Sequence, residues 1–88
     1  TYTNVMLAQS ADLLLTLKGI ECSFAVGYLD KNRVGISARS LGNMNVQLVM
    51  EELGGGGHLA NAATQIEGVD IDTAVSRLND AIDHVLLQ

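Results

Sequence analysis

The sequence predicts an α+β domain, a small three-stranded mixed sheet with covering helices in the order α-β-β-α-β-α. Three observations carry this expectation. Apolar residues recur at helical spacing in three segments, two strand-like runs flank a polar turn, and a third short run follows four consecutive glycines. The chain of 88 residues suffices for one domain, taken as 1–88, with a shallow core. Its 48% hydrophobic and 17% charged residues describe a folded globule rather than a disordered tail.

Asn4 to Leu17 reads as a helix, with Leu7, Ala11, Leu14 and Lys18 at helical spacing and Gly19 placed to stop it. Met6, Leu13 and Leu17 form a second stripe, wider than one buried face needs, which leaves surface for another domain or subunit. Cys22 to Leu29 and Val34 to Arg39 have strand composition, and Asp30 to Arg33 supplies the turn of a hairpin. Along its second strand Val34, Ile36 and Ala38 share one face, while Gly35, Ser37 and Arg39 share the other. Asn45 to Leu53 is a short amphipathic helix with Val46, Val49, Met50 and Leu53 on one stripe, capped by Asn43 or Asn45. Ala62 to Glu67 forms the third strand. Ile71 to Leu87 is the last helix, striped by Ile71, Val75, Leu78, Ile82 and Val85 and capped by Asp70 or Asp72. His84, near its end, reads as a surface residue favoured by the helix dipole.

Charge and composition exclude several functions. Five Lys and Arg residues, spread thinly in a chain of net charge −5, cannot track a long phosphate backbone. With no Trp and only Phe24, Tyr2 and Tyr28 as aromatics, there is no base-stacking platform either. The single cysteine, Cys22, rules out an internal disulfide and reads as a small buried apolar residue. No apolar run approaches the length of a membrane span. The chain opens at Thr1 rather than Met, so we read it as a fragment of a larger protein.

The stretch from Leu48 to Gln65, "LVMEELGGGGHLANAATQ", raises the functional question. Gly54 fits the left-handed position that ends a helix. Gly55, Gly56 and Gly57 remain, and each loses more backbone entropy on folding than alanine, at about 0.5–1 kcal/mol apiece. Such a run suits a backbone that something approaches closely, and successive N–H groups turned inward form an anion-binding nest. His58 follows at once, able to donate to a phosphoryl oxygen. No Gly-Lys-Ser/Thr follows, so this is not a Walker loop. Neither a nucleophile with a His–Asp relay nor three or four metal ligands at readable spacing are present, so no catalytic residue is assigned. The chain looks built to hold a phosphorylated ligand, not to cleave it.

"GISARSLGNMNVQLVMEELGGGGHLANAATQ" closely resembles the DHH-associated C-terminal domain, subtype one, of the DHH phosphoesterase superfamily. That family shows Gly-Gly-Gly-His followed by Ala-Ala-Gly; here Ala62 and Ala63 are followed by Thr64. This variation, with Asn61 and Gln65 around it, resembles the subgroup of GdpP-type cyclic-di-AMP phosphodiesterases, which are bacterial membrane proteins. The resemblance implies a division of labour. A DHH domain binds two manganese ions and activates water, while the associated domain faces it across a cleft and grips a cyclic or linear adenine dinucleotide. The gripping positions it implies are Arg39, Ser40, Gly54, Gly55, Gly56, Gly57, His58 and Asn61. It also implies no metal or cofactor in this fragment, the DHH domain of the same parent as partner, and a cytoplasmic domain of a membrane-anchored protein. Two other readings are weighed beside it. One is a nucleic-acid module like that ending alanyl-tRNA synthetases, against which the net charge and His58 both argue. The other is a dimerisation domain forming a homodimer through Asn4 to Leu17, which leaves the glycines without a purpose.

Overall fold

The computed structural model describes residues 6–17, 20–41 and 44–87, with side chains from 13–16, 21–41 and 44–87. Alternation builds the centre of the sheet. In β2, Ile20–Asp30, the residues Cys22, Phe24 and Val26 are buried while Glu21, Ser23 and Ala25 are exposed. In β3, Arg33–Ser40, Val34, Ile36 and Ala38 are wholly buried, on one face as the period of two requires. The expected hairpin is present, with Asp30 opposite Arg33 across a turn at Lys31 and Asn32. Asp30 closes that turn by accepting from the Asn32 N–H at 2.8 Å and from Arg33 Nε at 2.8 Å.

The structure overturns the helix expected over Asn4 to Leu17. Met6–Leu17 is a strand, β1, paired antiparallel with β2 from Ser10 opposite Gly27 to Leu17 opposite Ile20, with Met6 opposite Tyr28 beyond a register shift. Leu13 and Leu15 are half-buried against the core, whereas Leu14 and Thr16 are exposed. The run Leu13-Leu14-Leu15-Thr16-Leu17 satisfies a helical and an alternating template alike. What decides is the outer edge of β2, whose backbone groups gain partners only if this segment is extended. Asn4, Lys18 and Gly19, assigned to the ends of that helix, and Asn43, offered as a cap, lie outside the described residues.

The two later helices form as expected. The short helix α1, Val46–Glu52, starts at Asn45, whose Oδ1 accepts from the Leu48 N–H at 3.3 Å. The long helix α2, Ile71–Leu86, starts at Asp70, whose carboxylate accepts from the Thr73 N–H at 2.8 Å. The Tyr28 hydroxyl accepts from the Ile71 N–H at 3.3 Å and so ties the first turn of α2 to β2. Between the helices run β4, Gly56–His58, and β5, Asn61–Glu67.

The expected sheet must therefore be corrected. Among the described residues it has five strands in the order β1-β2-β3-β5-β4, every pairing is antiparallel, and the chain order is β-β-β-α-β-β-α. A three-stranded mixed sheet would leave β2 with an unpaired side and the glycine run without a partner. Both helices supply buried residues (Val46, Val49 and Met50 from α1; Ala74, Leu78, Ala81 and Ile82 from α2) to one cluster with Phe24, Ile36 and Ile66 of the sheet. Phe24, Ile36 and Leu78 are among its largest fully buried side chains, each worth about 1.5–3 kcal/mol of burial. Cys22 is buried in the same cluster with its Sγ 3.4 Å from Met44 Sδ, and burial pushes its thiol pKa up. The helices cover one face of the sheet. Among the described residues no helix covers the other face, and it carries the candidate site.

Candidate functional site

The glycine run begins as a helix stop. After Leu53, Gly54 takes φ +86° and its N–H donates to the Glu51 carbonyl at 3.1 Å. The Gly55 N–H reaches back to the Met50 carbonyl at 2.8 Å, which completes a Schellman cap. Gly54 thus has the left-handed role expected of it. The Gly55 N–H, foreseen as part of an anion nest, is engaged by the helix instead.

The next glycines answer to a different demand. A Cβ on Gly55 would lie 2.2 Å from the Ala63 carbonyl oxygen and 2.5 Å from Thr64 Cβ. One on Gly57, which has φ +147°, would lie 2.5 Å from Ala62 Cα. Both are glycine because β5 lies directly against them. Gly56 has neither constraint, since nothing stands within 4 Å of its would-be Cβ and its φ is not positive. Of the four, Gly56 alone is not required by the fold.

Register then decides which side chains meet. Arg39 of β3 lies opposite Ser23 of β2 on one side and opposite Asn61 of β5 on the other. Asn61 in turn lies opposite His58 of β4, across the two-residue turn Leu59–Ala60. Directly opposed residues in antiparallel strands project from the same face. Arg39, Asn61 and His58 therefore form one row on the uncovered face, and all three are exposed. With strands about 4.8 Å apart, the row places the Arg39 and His58 backbones about 10 Å from each other. An extended guanidinium and an imidazole can converge on one anion across that gap.

Beside the row lies an open hollow of about 490 Å³ lined by Ser37, Arg39, Gly56, Gly57, Asn61 and Ala63. Arg39 also borders a second hollow toward β1, with Leu14, Ser23, Ala25 and Ser37. Among the described residues no carboxylate pairs with Arg39, whereas Arg33 is held by Asp30 at 2.8 Å and by Gln65 at 3.3 Å. A cationic group thus stands ready on this face of an acidic domain.

Ser40 is placed differently from the other candidates. It is 8% exposed and opposite Cys22, on the helix-covered side, and its N–H donates to the Ala60 carbonyl at 3.0 Å. The structure does not bring its side chain to the row. Ser37 and Ala63 line the hollow without having been singled out, although alternation along β3 had already put Ser37 on the face of Arg39. Thr64, noted only as a departure from a glycine pattern, is 3% exposed and its hydroxyl donates to the Leu53 carbonyl at 2.9 Å. His84 is exposed, as expected, and pairs with Glu52 to join the two helices. Among the described residues no three His, Cys, Asp or Glu side chains are grouped so as to hold a metal ion.

Residues 1–86 match the family described as the DHHA1 domain. The chain is 54% identical over 82 residues to the cyclic-di-AMP phosphodiesterase GdpP of Bacillus subtilis, covering 93% of this chain and 12% of that protein. It is 50% identical over 82 residues to the cyclic-di-AMP phosphodiesterase PdeA of Listeria monocytogenes, with the same coverage of 93% and 12%. A more distant relative is the bifunctional oligoribonuclease and PAP phosphatase NrnA of Thermus thermophilus, 33% identical over 75 residues, 83% of this chain and 23% of that protein. The chain thus spans 12% of the length of the first curated relatives it matches. The resemblance read from the glycine–histidine stretch holds across nearly the whole chain, which belongs to the DHHA1 domain family.

Proposed function

We propose that this domain is the nucleotide-gripping half of a DHH-class phosphodiesterase acting on a cyclic or linear adenine dinucleotide. The observation that carries the proposal is the row of Arg39, Asn61 and His58 on a sheet face that no helix among the described residues covers. Relatives named cyclic-di-AMP phosphodiesterases support the same class of ligand. Arg39 supplies the charge that meets a phosphoryl oxygen, with the fork geometry that suits it. His58 donates a second hydrogen bond from the far end of the row, and Asn61 offers an amide between them. Gly56 and Gly57 present bare backbone at the edge of the hollow, so a phosphate can approach β4 closely.

The hydrolytic chemistry belongs, in this reading, to a companion DHH domain of the same protein, which holds manganese and closes the cleft from the other side. No step is assigned to residues of this chain. The whole protein is then a membrane-anchored bacterial enzyme with this domain in the cytoplasm. A relative in Onion yellows phytoplasma, 41% identical over 80 residues, is named a membrane protein–ribosomal subunit fusion. No helix among the described residues is long and apolar enough to cross a membrane. Of the apolar residues that motivate the dimerisation reading, Leu13 packs against this domain's own core while Leu14 is exposed. The tRNA-type reading finds no basic surface in a chain of net charge −5.

Titrating the ¹⁵N-labelled chain with a linear adenine dinucleotide tests the proposal. Binding by one half-site is expected near a millimolar dissociation constant, since contacts are few and ordering costs remain. Amides of Gly56, Gly57, His58 and Asn61 should move first. Arg39→Ala should weaken binding about tenfold or more, as removal of a charged hydrogen-bond donor does, with little change in melting temperature. Shifts gathered on α2 around Arg77 and His84 instead would place the ligand on the wrong side of the sheet and end this reading.

A further inference from the structure

One buried hydroxyl links the helix layer to the ligand row. Thr64 points from β5 toward the helices, and its Oγ1 donates to the carbonyl of Leu53, the residue that ends α1. That carbonyl is one of those a helix leaves without an internal donor. The same residue, with the Ala63 carbonyl, walls Gly55, since its Cβ and Cα lie 2.5 and 2.7 Å from where a Gly55 Cβ would stand. Immediately beyond that contact, Gly56 opens β4 opposite Ala63, and two residues later comes His58. Thr64 therefore touches the end of the helix with its hydroxyl and the start of the loop with its carbon atoms, just before the pairing that leads to His58.

The glycines make this anchor matter. Gly54 to Gly57 carry no side chains that could seat the loop, and glycine has more backbone freedom to lose than any other residue. Loss of the hydroxyl leaves the Leu53 carbonyl without its donor, and water must enter between the end of α1 and β5 to replace it. The loop then samples other positions, and β4, paired on one side only, moves with it.

We infer that Thr64 is a positioning residue for the ligand grip: its hydroxyl holds the loop from α1 to β4 in the one register that sets His58 in line with Asn61 and Arg39. This rests on the reading of that row as a phosphate grip. The apparent affinity falls by the fraction of time the loop is out of place. Thr64 touches no ligand, and its effect reaches the ligand through the loop residues Gly56 to His58.

Thr64→Val keeps the branched shape and removes the donor, while Thr64→Ser keeps the donor. With a linear adenine dinucleotide as probe, Thr64→Val should weaken binding by about three- to tenfold, the worth of one hydrogen bond. It should also shift the unliganded amides of Gly55 to His58. Thr64→Ser should restore wild-type affinity and amide positions even if its melting temperature is lower, which a purely structural role does not produce. In the unaltered protein, the Thr64 hydroxyl proton should exchange slowly with water, and more slowly still with the dinucleotide near saturation, because binding suppresses loop opening. That measurement decides the matter even if Thr64→Val does not fold. Wild-type affinity in a folded Thr64→Val, or hydroxyl exchange that ignores the ligand, overturns the inference while leaving the Arg39–His58 grip intact. Binding insensitive to His58→Ala as well overturns both.

Discussion

The two faces of β3 divide the work of this domain between them. On one, Val34, Ile36 and Ala38 have no exposure at all beneath the helices. On the other, one residue along, Ser37 and Arg39 look onto an open hollow. The backbone is shared, so the faces differ only in what covers them. Helices supply apolar partners on the first, and no helix among the described residues lies on the second, which is where a ligand can be met. In the proposed reading, stability and recognition lie a single residue apart in sequence, and substitutions should separate them.

The largest expected effect lies on the covered face. Ile36→Ala should lower stability by about 2–5 kcal/mol through lost burial and an unfilled cavity. In a domain of this size that moves the melting temperature down by about 10 °C or more. Binding of a dinucleotide to the fraction still folded should be unchanged. If melting barely shifts, the core is not where the structure places it.

The glycine run sharpens the same division within four residues. Gly55→Ala should cost about 1–3 kcal/mol, because its methyl group meets the Ala63 carbonyl and Thr64 at distances no real Cβ tolerates. Gly54→Ala, in open space but at φ +86°, should cost about 1–2 kcal/mol from the left-handed backbone alone. Gly56→Ala should leave thermal unfolding nearly unchanged while weakening dinucleotide binding, since its methyl group enters the hollow where the phosphate is proposed to lie. Equal melting losses for Gly55→Ala and Gly56→Ala would mean that the loop does not press on β5 as described.

The smallest effect is one of pH. The Asp70 carboxyl is held below the usual carboxylate range, first by the Thr73 N–H, and Asp30 likewise, first by the Asn32 N–H and then by the Arg33 side chain. A depressed folded pKa means stability that is present above the unfolded value and lost as pH falls through the folded one. The loss should therefore appear below about pH 4. Asp70→Asn keeps a capping acceptor but does not titrate, so its acid melting curve should be flatter than that of the unaltered chain. An unchanged acid dependence would remove Asp70 from the account.

Much of the domain was legible because its contacts are short-range. Asn45 and Asp70 were each readable as one of two candidate caps, since a cap is bonded only three residues ahead. The β2–β3 hairpin was readable from a polar turn between alternating runs. The site was half legible. Alternation put Arg39 and Ser37 on one face, and the glycine–histidine string marked where something unusual happens. The string did not reveal that its glycines serve different ends, one for a helix stop and two for contact with β5. Nor did it reveal that Ser40, next to Arg39, points into the core.

The sequence by itself determined the two later helices, the hairpin, the identity of the apolar face and the family to which the chain belongs. Each depends on residues within a few positions of one another or on a recognisable string. Only the tertiary structure decided that Met6–Leu17 is a strand, because its leucines suit either state and the deciding hydrogen bonds come from β2. Only the tertiary structure decided that Gly56–His58 is a strand, because three residues rich in glycine hold no extended form without β5 beside them. The meeting of Arg39 with Asn61 and His58 belongs to the same class. It is fixed by strand register, a property of pairs of segments that no single segment contains.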